Sequence, residues 1–149
     1  MEERDLPVIR DMFLNLYQHL NRLGFQYQLN QEYLDEYLAF QLASRLSRIL
    51  ILEREGQIAG FIGFSAFAVN RKFINAGVKH YGMISEVYVQ DNYRGQGLAK
   101  ELVKAAERYF KDWGITLVLV EALMENRAAQ SIYEELGFVP YYTNLVKRI

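Results

Sequence analysis

A short glycine-containing segment, residues 93–99, has the composition of a phosphate-binding loop. Its small residues let the backbone approach phosphate oxygens closely, because glycine and alanine carry little or no side chain. If a helix starts directly after the loop, its free backbone N–H groups and its dipole also favour an anion. Arg94 and Lys100 would add positive charge. The residues expected to contact phosphate are Arg94, Gly95, Gln96, Gly97, Leu98, Ala99 and Lys100.

The loop alone does not distinguish phosphate binding from a plain turn, because glycine is common in turns. It lacks the Gly-x-Gly-x-x-Gly pattern of dinucleotide sites and the Gly-x-x-x-x-Gly-Lys-Ser/Thr pattern of nucleotide triphosphate loops. Neither of those two ligand classes is therefore expected.

Hydrophobic periodicity predicts the elements around the loop. Residues 83–89 have the composition of a strand, and apolar residues recur at helical spacing in residues 99–113, with Gly114 as a stop. The apolar run 115–122 then predicts a buried strand, reached by a crossover and therefore parallel to the first. A last helix is predicted over residues 127–136.

Two further helices are predicted in the N-terminal part of the chain. Apolar residues recur at steps of three and four over residues 8–20, with Asp5 as the cap and Gly24 as the end of the helix. The same spacing recurs from Asn30 to about Ser47.

An antiparallel hairpin is predicted next, because residues 49–52 and 58–64 flank a charged turn. Residues 70–79 form an irregular basic stretch, and residues 141–147 are predicted to close the sheet as a final strand. The order of elements predicts one mixed α/β (α+β) domain, residues 1–149, with a mostly antiparallel sheet and flanking helices.

Composition excludes several classes of function. The chain of 149 residues has a net charge of −1 and no basic field, so nucleic acid is not expected as a partner. It has no cysteine, and His19 and His80 are isolated, so neither a disulfide nor a metal site is expected. No apolar run approaches the roughly 20 residues that cross a bilayer. The charged N-terminus does not resemble a secretory signal, so we expect a cytoplasmic protein without membrane contact.

The loop and its surroundings resemble the GNAT superfamily of acyl-CoA N-acyltransferases. The family signature Arg/Gln-x-x-Gly-x-Gly/Ala is met by Arg94, Gly97 and Ala99. Residues 86–89 resemble the strand that precedes this signature, and residues 121–138 resemble the second half-motif of the family. That half-motif has an Asn, a small residue, a Tyr and a Gly-Phe pair, which are matched here by Asn126, Ala129, Tyr133, Gly137 and Phe138.

The resemblance implies acetyl-CoA as acyl donor, no metal, and a central pair of parallel strands that splay apart. Backbone groups of Val87, Tyr88 and Val89 would pair with the pantetheine arm, and the N–H of Val89 would stabilise the oxyanion of a tetrahedral intermediate. Only the backbone is needed there, so the valine side chains are equally suited to the core. Asn126 would contact the cofactor or cap the last helix.

A base is required because an amine with a pKa near 10.4 arrives protonated. An acid is required because the thiolate that leaves has to be protonated. Glu86 and Glu121 both resemble base positions of family members, and both are also compatible with a solvated or ion-paired carboxylate. Glu121 is slightly preferred, since its spacing from Asn126 resembles that of members that acetylate N-terminal amines. Tyr133 resembles the general acid that protonates the thiolate, although a tyrosine on an apolar helix face is also typical of a core.

Two classes of function follow: an N-acetyltransferase acting on a primary amine of a small molecule or peptide, or a catalytically weak acyl-CoA-binding sensor or regulatory module. A purely structural role is a third possibility, which requires that CoA does not bind. Asp35 and Glu36 would attract an amine or form a solvated helix face, and Phe25, Tyr27 and Phe73 would line an acceptor pocket or belong to the core. The oligomeric state, including a homodimer, stays open.

Overall fold

The computed structural model describes residues 1–73, 77–147 and 149. Residues 74–76 of the predicted basic stretch, and residue 148, lie outside this description. The elements in chain order are α1 (Leu6–Arg22), α2 (Gln31–Ala43), β1 (Ser47–Arg54), β2 (Gln57–Ala68), β3 (His80–Val89), α3 (Leu98–Asp112), β4 (Val118–Val120) and α4 (Arg127–Glu135), with 3-10 turns at Glu3–Asp5 and Asp91–Tyr93. Among the described residues, no helix is long and apolar enough to cross a membrane.

The four strands form one sheet in the order β1-β2-β3-β4. The β1–β2 and β2–β3 pairs are antiparallel, and the β3–β4 pair is parallel. Glu55 and Gly56, between β1 and β2, have φ angles of 52° and 74°. Positive φ at both positions is typical of the two-residue turns whose twist matches a hairpin. The predicted mixed α/β fold, hairpin and parallel crossover are confirmed.

The parallel pairing covers only a short segment of β3. The register of the two strands begins at Gly82 opposite Val118 and ends at Ile84 opposite Val120. β3 then continues to Val89, whereas β4 ends at Val120. Among the described residues, the side of β3 that faces away from β2 therefore has no paired strand beyond Ile84, and this unpaired edge is called the gap.

The predicted final strand is wrong, because residues 141–147 adopt no regular secondary structure. β4 has only three residues and so offers few backbone groups for another strand to pair with. Tyr141, Tyr142 and Leu145 remain more than four-fifths exposed. Without that strand β4 forms the edge of the described sheet, and the parallel pair lies at one side of it and not at its centre.

The two predicted N-terminal helices are confirmed, but their ends differ from the predicted ones. The Oδ1 atom of Asn30 accepts the N–H groups of Glu32 and Tyr33, as an N-cap does. α2 ends at Ala43 and not near Ser47, because Ser44 has an extended backbone. Asp5 does not cap α1 through its side chain. Its Oδ2 atom instead accepts the N–H of Glu2 at 2.6 Å, within the preceding turn.

The sheet is covered on both faces, because successive side chains of a strand point in opposite directions. Phe61 of β2 packs with α1 and α2, whereas the adjacent Ile62 packs with α3. The α3 face approaches the sheet closely at Gly82, where an added Cβ would lie 2.5 Å from the Phe110 ring. Each face thus has its own hydrophobic cluster, and the strands between them are held in position.

Candidate active site

The glycine loop lies between the 3-10 turn at Asp91–Tyr93 and the start of α3. Gly95 and Gly97 both have φ of 76°, a conformation that favours glycine. A Cβ added at either position would have no neighbour within 4 Å, so the space beside the loop is open. α3 begins at Leu98 without a side-chain cap. Its first N–H groups therefore lack a side-chain acceptor and are suited to an anion.

The two cations of the loop make contacts within the protein. Arg94 folds back onto β3, where its Nε donates to the carbonyl of Val89 at 3.1 Å. Its Nη2 lies 2.9 Å from Oδ1 of Asp91, and its guanidinium lies over the Tyr88 ring. Lys100 forms an ion pair with Glu135 of α4. Both cations are therefore already paired with carboxylates of the protein.

The end of β3 directs part of its backbone toward the gap. The N–H of Gln90 donates to the carbonyl of Ala59 on β2 at 2.9 Å. Because hydrogen-bonding directions alternate along a strand, the peptide groups of Tyr88 face β2, and those of Val87 and Val89 face away from it. The contact between the Val89 carbonyl and Arg94 agrees with this direction.

Glu86 lies on the face of the sheet that α1 and α2 cover, and only 8% of its surface is exposed. Its Oε1 atom accepts the hydroxyl of Tyr17 at 3.2 Å, and its Oε2 atom has no hydrogen-bond partner. The carboxyl group occupies space left by Gly63 on β2, because an added Cβ there would lie 2.5 Å from Oε2. Glu86 is thus a buried acid with one unpaired oxygen.

Burial raises the pKa of Glu86 to about 7, and the hydroxyls of Tyr17 and Tyr37 lower it in part. Burial, followed by the charge of Glu86, also raises the pKa of both tyrosines above their usual value. The phenols therefore keep their protons and act as donors, while the carboxyl exchanges a proton near neutral pH. Such a pKa is suited to a general base.

The other predicted acid and base have different environments. Glu121 follows β4 and is exposed. Tyr133 of α4 is half-buried, and its ring packs edge-on against Phe138 at 5.7 Å. Burial raises the pKa of Tyr133 to about 12. Asn126 caps α4, because its Oδ1 accepts the N–H of Ala129 at 3.2 Å.

The residues suggested for the acceptor region are mostly at the surface. Asp35 pairs with Arg10 at 3.0 Å and, like Glu36, is exposed, which agrees with a solvated helix face. Tyr27 and Phe73 are 74% and 62% exposed. Only the ring of Phe25, which packs against Tyr17, lies next to a partner of Glu86.

Sequence reasoning missed Tyr17, Tyr37 and Gly63. Tyr17 and Tyr37 each follow the apolar spacing of their helices, which placed them on the buried faces but did not distinguish them from other core tyrosines. Gly63 has an ordinary strand position, and only its approach to Glu86 explains the missing side chain. Contacts between segments far apart in the chain bring these residues together.

Residues 13–138 match the model of the acetyltransferase (GNAT) family. The chain belongs to that family. Among similar proteins, N-alpha-acetyltransferase 30 of Schizosaccharomyces pombe is 32% identical over 78 residues, which cover 52% of each chain. Mycothiol acetyltransferase of Streptomyces coelicolor is 30% identical over 101 residues, which cover 66% of this chain and 29% of that protein. The matched part of this chain thus spans about half of the length of the first relative and less than a third of the length of the second.

Solved structures share the fold. An aminoglycoside N-acetyltransferase in complex with CoA has a TM-score of 0.79 at 18% identity, covering 100% of this chain and 91% of that chain. A ribosomal-protein-alanine N-acetyltransferase from Brucella melitensis has a TM-score of 0.71 at 18% identity, covering 100% and 96%. At this level of identity the likeness concerns the fold alone.

Proposed function

We propose that this chain is an acetyl-CoA-dependent N-acetyltransferase that transfers an acetyl group to a primary amine of a small molecule or peptide. The observation that carries the proposal is the buried Glu86, with a pKa of about 7, on the strand that ends beside the gap and the glycine loop. Membership of the acetyltransferase family supports it. In this proposal residues 1–149 form one cytoplasmic domain.

The residues of the loop and of β3 fit the chemistry of CoA. The open space beside Gly95 and Gly97 and the uncapped start of α3 are suited to phosphate groups. The peptide groups of Val87 and Val89 face the gap and are suited to the amides of a pantetheine arm. The donor supplies an activated acetyl thioester, and the N–H of Val89 is suited to stabilise charge on its carbonyl oxygen.

Glu86 is the base in this proposal, in preference to Glu121. It is buried and ionises near neutral pH, so it accepts the proton that the attacking amine releases. Glu121 is exposed and lies beyond the end of β4. The proton goes from the amine nitrogen to the carboxylate of Glu86.

Tyr133 is the acid in this proposal. Its raised pKa of about 12 keeps it protonated through the neutral range, so its hydroxyl has a proton to donate when a thiolate leaves. As the amine attacks directly, the new C–N bond forms, the C–S bond breaks, and no covalent intermediate with the enzyme is required. Asn126 would contact the cofactor with the part of its amide that does not cap α4.

A weakly catalytic acyl-CoA-binding sensor or regulatory module is the second candidate. It is favoured by Tyr133, because a phenol with a pKa of about 12 is a weaker acid than a free tyrosine. The two candidates differ in whether bound acetyl-CoA is consumed.

The test is thiol release from acetyl-CoA in the presence of a panel of primary amines, together with calorimetric binding of acetyl-CoA. We expect Glu86→Gln to lower kcat/KM at least about 100-fold, the usual contribution of a general base, without weakening acetyl-CoA binding. Glu121→Gln is the matched control and should keep most activity. Equal losses in both variants would contradict the assignment of Glu86. Tight binding without thiol release for any amine would favour the sensor.

A further inference from the structure

A cavity of about 600 Å³ lies between the C-terminal end of α2 and the strands β2 and β3. Tyr37 and Ser85 form part of its lining. Tyr37 acts on the pKa of Glu86, and Ser85 is the residue before Glu86 in β3. Tyr37 therefore connects the wall of the cavity with the carboxyl group to which the proposed function assigns the amine.

The inner wall of the cavity is polar and only partly satisfied. Gln41 lines it and is 5% exposed, yet its Oε1 atom has no hydrogen-bond partner. Ser47 and Ser65 also line it, and their buried hydroxyl oxygens lie 2.8 Å apart. A buried acceptor without a donor destabilises a protein, so its retention is explained if a ligand supplies the donor.

The mouth of the same cavity is apolar. Phe40, Leu46 and Phe67 line it and are 61%, 61% and 46% exposed. Exposed apolar side chains grouped around a concave surface are typical of a ligand site. Among the described residues that line the cavity, Arg45 is the one charged side chain, and none is a carboxylate. A second cation on the acceptor would therefore find no opposite charge there.

We propose that this cavity selects the acceptor: a monoamine that also carries an apolar group and an uncharged N–H or O–H donor. The inference rests on the proposed function, since it assigns the amine itself to Glu86. The apolar group packs against Phe40, Leu46 and Phe67. The donor bonds to Oε1 of Gln41, which is closed to solvent in this structure and becomes reachable when the Gln41 side chain turns into the cavity. Polycationic amines are disfavoured, because desolvation of their extra charges is not compensated.

The experiment measures kcat/KM for three acceptors: the amides of Ala-Leu-Ala and Ala-Lys-Ala, and spermidine. We expect the leucine peptide to be preferred by at least about tenfold, because an uncompensated charge is costly to bury. Gln41→Leu should lower kcat/KM for the leucine peptide about tenfold, mainly through KM, which is the effect of one hydrogen bond. The KM for acetyl-CoA should stay unchanged. The melting temperature should change little, because the variant removes the unpaired acceptor together with the hydrogen bond between Gln41 and Tyr37.

Gln31→Leu, at the exposed start of α2, is the matched control. It should change kcat/KM for neither peptide. Leu46→Glu adds a carboxylate at the mouth and should raise kcat/KM for the lysine peptide about threefold relative to the leucine peptide. A preference of the wild-type protein for spermidine, or an acceptor profile unchanged by Gln41→Leu, would overturn the inference and leave the proposed function standing. Transfer to no amine in any panel would overturn both.

Discussion

The carboxyl group of Glu86 lies directly over the backbone of Gly63 on the neighbouring strand, where a Cβ would lie 2.5 Å from Oε2. The two residues are paired in the register of β2 and β3. The position of the proposed base therefore depends on the absence of a side chain on the adjacent strand.

Gly63→Ala should displace the carboxyl group of Glu86. We expect kcat/KM for acetyl transfer to fall about 100-fold, since a displacement near 1 Å costs about that much. The free energy of unfolding should fall by about 1–3 kcal/mol, as for other overpacked sites. Activity and unfolding free energy are measured in a double-mutant cycle of Gly63→Ala and Glu86→Gln. If Gly63→Ala lowers the activity of Glu86→Gln as strongly as that of the wild type, the displacement is not the cause.

The rate of transfer should depend on the ionisation of Glu86. A base accepts a proton only when ionised, so kcat/KM should rise with pH through about 7, where burial places the pKa of Glu86. The measurement is a pH profile at low acceptor concentration, corrected for the ionisation of the amine. Glu86→Gln should abolish this rise, and Glu121→Gln should retain it. A rise that persists in Glu86→Gln belongs to another group.

Folding stability should change with pH in the opposite direction. The pKa of Glu86 is raised from 4.5 to about 7 in the folded chain, so the folded state holds this proton more tightly than the unfolded chain. The stability from this group is fully present below about pH 4.5 and is lost as pH rises through 7, by about 3 kcal/mol.

Urea unfolding of the wild type and Glu86→Gln at pH 5 and pH 8 measures this effect. The wild type should lose stability relative to the variant between the two pH values, because all other ionisable groups are shared. Parallel changes in the two proteins would mean that Glu86 is not protonated in the folded chain at pH 5.

Tyr17→Phe should shift the activity profile to higher pH. The hydroxyl of Tyr17 is the donor to Oε1 of Glu86, and it lowers the pKa of that carboxyl. Without the hydroxyl, the midpoint of the kcat/KM profile should rise by about one unit or less, because one hydrogen bond to the charged form is lost. Tyr27→Phe is the control, since Tyr27 is 74% exposed. A midpoint that stays constant or falls would contradict the contact.

Gly97→Ala should weaken acetyl-CoA binding specifically. Gly97 has φ of 76°, and Gly114, beyond the other end of α3, has φ of 70°. Neither has a neighbour within 4 Å of an added Cβ, so each alanine variant costs stability through the backbone alone, by about 1–2 kcal/mol. Differential scanning calorimetry and titration with acetyl-CoA compare the two. Equal affinity of both variants for acetyl-CoA would show that the loop is not part of the cofactor site.

Much of the fold follows from local pattern. The spacing of apolar residues predicted both N-terminal helices, and the charged turn between two apolar runs predicted the β1–β2 hairpin. These predictions succeeded because helix and strand periods are properties of neighbouring residues. The strand predicted over residues 141–147 failed because its formation depends on β4, whose three residues offer a short edge.

The sequence by itself determined the family, through the loop with Arg94, Gly97 and Ala99 and the segment that ends at Phe138. It also supplied both glutamates as candidate bases. Only the tertiary structure distinguished Glu86 from Glu121, because burial against α1 and α2 and the hydroxyl of Tyr17, 69 residues away, change its pKa. A pKa depends on the surroundings in space, which a linear pattern does not contain.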